Sequence, residues 1–164
     1  MAEGIQYHLT SYIRLLFVCL IVAAAMYDFR ERRIPNFITF TVIAISFGMY
    51  GLIGDLGIAG GAEGLKMWFL GLAAGAGLLA VPCALGGMGA GDLKLLAAAG
   101  SMLGPVQVFY GFLAAALLGG LMAIGIIASR PTASPARPTP LRIPYGLPLA
   151  AGVLLSAAGA WIQC

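Results

Sequence analysis

Charge is what this sequence has least of. Only 9% of its 164 residues are Asp, Glu, Lys or Arg, against about a quarter in a soluble domain. That shortage excludes a soluble globule, because too few polar side chains remain to clothe its surface. Disorder is excluded as well: it needs low hydrophobicity, and 61% of these residues are hydrophobic. Histidine occurs once, at His8, ahead of the apolar runs, so no Ser–His or Cys–His pair can be assembled within them. The three cysteines, Cys19, Cys83 and Cys164, are widely spaced and form no CxxC pair. That leaves no basis for a zinc cluster or a disulfide framework, and they read as small apolar residues of helices. The 24 glycines follow no three-residue period, which removes a collagen-like repeat.

What is present is long apolar sequence, with a mean hydropathy of +0.99. About 20 such residues cross a bilayer as a helix. The pattern predicts an all-α membrane protein, one domain over residues 1–164, with about six transmembrane helices. The spans expected are Tyr12–Tyr27, Asn36–Ile53, Leu65–Leu85, a short Ala-rich Asp92–Leu103, Pro105–Ser129 and Pro144–Ile162. The first is not a cleaved signal peptide, which wants positive charge ahead of its apolar core. Here Glu3 precedes the run, and Arg30, Glu31, Arg32 and Arg33 follow it.

Positive charge in short loops marks the cytoplasmic side. The loop after span one holds Arg30, Arg32 and Arg33, and the loop after span five holds Arg130, Arg137 and Arg142. The glycine-rich loop after span three runs directly into Asp92 and Lys94. With six spans all three loops fall on one side, which places both termini in the periplasm. The loop after span two carries Asp55 and Glu63 and falls on the outer side. The stretch 130–144, RPTASPARPTPLRIP, reads as an extended linker. Gly71 and Gly75 form a GxxxG pair, and Gly119-Gly120 lies mid-span; both are expected to let helix backbones approach closely.

Two acidic residues need explaining. Asp28 ends span one and Asp92 begins span four, 64 positions apart (92 minus 28) but at one depth in this topology. At a helix centre an aspartate costs about 2.5–3.5 kcal/mol, and less near the interface. Plain readings exist for each: Asp28 as one charge in a solvated YDFRERR cluster, and Asp92 as a helix N-cap. Lys94 reads as a snorkelling lysine. The setting of Asp92 adds more. Gly86, Gly87, Gly89 and Gly91 supply four glycines in six residues, a stretch expected to stay non-helical and open to a substrate backbone. Two carboxylates within a few ångströms cannot both ionise easily. They share a proton, and such a pair can activate water for attack on a carbonyl.

Asp28, followed by Arg32-Arg33-Ile34-Pro35-Asn36, then Gly89-Ala90-Gly91-Asp92-Leu93-Lys94, then Ile143-Pro144-Tyr145-Gly146, resembles the type IV prepilin peptidases, membrane aspartic endopeptidases with a GxGD motif. The resemblance implies cleavage of the leader peptides of prepilins and pseudopilins at the cytoplasmic face of the bacterial inner membrane. It implies Asp28 and Asp92 as the catalytic pair, and Gly89, Gly91, Lys94, Pro35 and Asn36 as motif or substrate-binding residues. No metal, cofactor or nucleic acid is expected; the lipid bilayer and the prepilin are the partners. Larger members carry an N-terminal cytoplasmic region with paired cysteines and methylate the new N-terminus. This sequence shows neither, and is similar to the short peptidase-only branch that serves Flp or tight-adherence pili. Two other classes stay open on the residues alone. One is a small proton-coupled transporter using Asp28, Asp92 and Lys94 as relay groups; the other is a noncatalytic membrane scaffold.

Overall fold

The computed structural model describes residues 2–31, 35–52, 62–86, 88–129 and 145–162, with side chains from Ser11 onward except those of Phe29, Leu52 and Ala62. Six helices make up nearly all of them: α1 (Ala2–Glu31), α2 (Asn36–Leu52), α3 (Ala62–Ala84), α4 (Ala90–Leu103), α5 (Pro105–Ala128) and α6 (Gly146–Ile162). Each lies where the apolar pattern expected one. Arg32, Arg33, Ile34, Asp55, Gly87, Cys164 and the linker 130–144 with its three arginines lie outside the described residues, as do the Glu3 and His8 side chains.

Three helices are long and apolar enough to cross a membrane by length and composition: Ser11–Asp28 within α1, Glu63–Ala84 within α3, and Pro105–Ala128. The 17 residues of α2 and of α6 extend about 25 Å, and the 14 of α4 about 21 Å, against a hydrocarbon core of about 30 Å. Two boundaries differ from expectation. Helix α1 starts at Ala2 rather than Tyr12, because no proline stops the polar turns ahead of its apolar window. Helix α4 starts at Ala90, so Ala90 and Gly91 are helical despite the glycine-rich context. Gly89, extended at φ −76° and ψ 146°, stands as its N-cap, and the Asp92 N–H donates to the Gly89 carbonyl at 3.1 Å.

A single residue separates α4 from α5. Gly104 sits at φ 84°, ψ 171°, a conformation that a side chain opposes, and Pro105 opens the next helix where its missing N–H costs nothing.

Helix α4 is the centre of the bundle and packs against α2, α3, α5 and α6. Every residue from Leu95 to Met102 is buried, so no side of it faces outward; a helix apolar all round is a core helix. Small residues allow this. A Cβ at Gly71 would fall on the Gly100 carbonyl, and one at Gly75 on the Leu96 carbonyl, so the GxxxG pair brings α3 onto α4 backbone to backbone. The α5–α6 seam repeats the arrangement, with Gly152 against the Gly111 carbonyl and Ala115. Gly119-Gly120 does not follow the expectation. Gly119 faces the Tyr145 ring and Gly120 has nothing within 4 Å, because successive helical residues point about 100° apart.

Hydrogen bonds tie α2, α3 and α4 together near the C-terminal end of α4. Ser46 and Ser101 hydroxyls meet at 2.8 Å, Trp68 Nε1 donates to Ser46 Oγ at 3.0 Å, and Tyr50 donates to the Met102 carbonyl at 3.1 Å. Around the outside, Leu15, Met26, Phe40, Phe69, Leu117 and Ile124 are exposed. So much apolar surface is unusual on a soluble monomer and suits contact with lipid.

Candidate active site

The site lies at the other end of α4. Asp28 is in the last turn of α1 and is 9% exposed; Asp92 is in the first turn of α4 and is 8% exposed. They are the buried charged side chains among the described residues. Asp28 and Asp92 lie near enough for their charges to interact, so two helices that are distant in sequence bring their carboxylates to one site. The solvated-cluster reading of Asp28 fails on its burial. The open-loop expectation for Asp92 is corrected in the same way: the carboxylate is covered, because the helix begins two residues before it and turns it inward.

Asp92 is not the N-cap either. That place belongs to Gly89, three residues back. The Asp92 carboxylate instead reaches back to the Gly89 backbone N–H, the third-residue half of a capping box. A Cβ at Gly89 would stand 3.6 Å from Asp92 Oδ2, an ordinary contact, so the first glycine of GxGD is not required by crowding against this carboxylate.

Asp28 is held from the opposite direction. The backbone N–H of Gly146, the first residue of α6, donates to Asp28 Oδ2 at 3.1 Å. Lys94 does not simply extend into solvent: its Nζ donates to Asn36 Oδ1 at 2.9 Å, joining the first turns of α4 and α2. Pro35 stands just before α2, half-buried, and its carbonyl takes the Ile38 N–H at 3.2 Å. Gly91 is half-buried inside the first turn of α4. The ends of α1, α2, α4 and α6 therefore gather in one region, with the two carboxylates buried in it and the Lys94–Asn36 pair exposed beside them.

The model of the type IV leader peptidase family matches residues 15–124, well over half of the chain. The chain belongs to the type IV leader peptidase family. No curated protein and no solved structure matches it. As a type IV leader peptidase it is a hydrolase of peptide bonds, and its substrates are of the prepilin type. Asp28, Asn36, Gly89, Gly91, Asp92 and Lys94 all fall inside the matched segment, whereas Gly146 lies beyond it.

Gly146, which holds Asp28, carried no assigned role in the sequence reading. Its IPYG motif was visible, but a glycine's importance depends on what stands opposite it, and sequence does not show that. Glu31 is exposed, and its neighbours Arg32 and Arg33 lie outside the described residues. Among the described residues, no group of three or more His, Cys, Asp or Glu side chains is placed to hold a metal ion.

Proposed function

We propose that this leader peptidase is a membrane aspartic endopeptidase in which Asp28 and Asp92 activate the hydrolytic water. The supporting observation is that two buried carboxylates, one from the end of α1 and one from the start of α4, lie near enough for their charges to interact. Neighbouring like charges do not both ionise easily, and in this mechanism the pair shares one proton. The ionised member takes a proton from water, and the protonated member donates to the oxygen of the scissile carbonyl. Water attacks, a tetrahedral intermediate forms, and the acid and base exchange roles as the amine leaves. No covalent enzyme intermediate is needed.

In this reading all six helices lie in the bacterial inner membrane, both termini face the periplasm, and the site opens to the cytoplasm. The basic residues that flank it, Arg30 and Lys94, agree with the charge asymmetry of membrane topology. The substrate is a Flp-like prepilin. Its hydrophobic helix enters sideways between the spans, while its leader stays at the cytoplasmic rim, near Glu31. A transporter relay needs further ionisable groups along its path. Among the described residues the buried polar groups at the far end of α4 are the serines Ser46 and Ser101, which do not titrate.

The deciding experiment is leader cleavage of a Flp-like prepilin by purified protein in detergent. Asp28→Asn and Asp92→Asn should each insert and fold normally yet leave the prepilin uncut. Processing at the wild-type rate by either variant would sink the mechanism.

A further inference from the structure

The start of α6 is built around the Asp28 carboxylate. Tyr145 precedes the helix, with its carbonyl accepting the Leu149 N–H at 3.0 Å and its ring resting on Gly119 of α5. The N–H groups of a first helical turn have no partner inside the helix. The first of these in α6, on Gly146, goes to Asp28 Oδ2 across 118 positions of sequence. No side chain fits there: a Cβ at Gly146 would fall on Oδ2 and press on Cγ and Cβ of Asp28. Backbone conformation does not account for this glycine. Among the described residues the glycines of positive φ are Gly86 and Gly104, not Gly146, and alanine is the better helix former. What remains is the close approach of the carboxylate.

We infer that Gly146 is a positioning residue for hydrolysis: its N–H fixes Oδ2 of Asp28, and its missing Cβ leaves that carboxylate room to face Asp92. Accepting this N–H occupies one of the two lone pairs of Oδ2, so Oδ1 is the freer Asp28 oxygen for water and the shared proton. The inference rests on the Asp28–Asp92 reading above. A backbone N–H is well suited to the task, since it cannot titrate and is held in place by its own helix.

The test compares leader cleavage of one prepilin by wild type, by Gly146→Ala, and by protein carrying glycolic acid in place of Gly146. The last change turns the backbone amide into an ester, removing the N–H and adding no atom. Losing a hydrogen bond to a charged group corresponds to about a ten- to hundredfold effect. The ester at 146 should lower kcat by that factor with KM within about twofold of wild type. The same ester chemistry at the exposed Leu147, also in the first turn, should leave kcat unchanged. Gly146→Ala should lower kcat about a hundredfold or more, as expected when a reacting group is displaced by about 1 Å. Unchanged kcat in the ester protein overturns the inference, and so does a change confined to KM. Should Gly146→Ala fail to fold, the ester protein decides by itself. Asp28→Asn belongs in the same assay: if it cleaves, the carboxylate pair is wrong, whereas if it is inactive and the ester is fully active, only the role of Gly146 falls.

Discussion

Substituting the two aspartates and the residues beside them separates reacting groups from holding groups. Asp92→Glu keeps the charge but carries it one methylene further, and a shift of that size in a reacting group is expected to cost about a hundredfold in kcat. Rate measurement on a folded, inserted Asp92→Glu protein checks this. Lys94→Ala removes only an exposed hydrogen bond to Asn36, worth about 0.5–1.5 kcal/mol, so cleavage should persist within roughly tenfold of wild type. A dead Lys94→Ala protein would instead place that ammonium in the chemistry. Asp28 and Asp92 were legible in the sequence because charge is scarce and theirs lies at the edges of apolar runs. Gly146 was not, since its value is a space defined by another helix. The partnership of Lys94 with Asn36 was equally hidden, 58 positions apart.

At the scale of helices, contact between backbones governs stability. Gly71→Ala and Gly100→Ala each place a methyl on the other's carbonyl, and overpacking of this kind costs typically about 1–3 kcal/mol. Gly77→Ala and Gly120→Ala meet nothing within 4 Å and should be neutral or slightly stabilising. Thermal unfolding in detergent distinguishes the two sets. Ser46→Ala takes away the acceptor of Trp68 Nε1 and the partner of Ser101. An unpaired donor costs about 1–3 kcal/mol, so the melting temperature should fall while kcat in the surviving folded protein holds. Helix boundaries were readable where chemistry punctuates them, as at Gly104-Pro105. They were not readable at Ala90, where glycine content argued against a turn that Gly89 in fact starts. The Ser46–Ser101–Trp68 bonds join three helices, and no local pattern announces them.

For the whole molecule, the proposed topology makes a direct prediction. Alkaline phosphatase fused after Cys164 should be active, being exported, and fused within residues 130–144 it should be inactive. The reverse result would put the carboxylates on the wrong side of the membrane for a cytoplasmic leader. The number and order of helices were legible because hydropathy marks each one. That α4 is encircled was only hinted at by its shortness and its alanines, since which helices surround it depends on packing across the bundle. Its encirclement has a mechanical consequence. Gripped along its length by α2, α3, α5 and α6, α4 is anchored from four directions, and so is the carboxyl it carries. Helix α1 packs against α6 and α2, so its acid is aligned from the tip of α6. A wedge driven between α1 and α6 would therefore throw the pair out of alignment while leaving the surroundings of α4 in place.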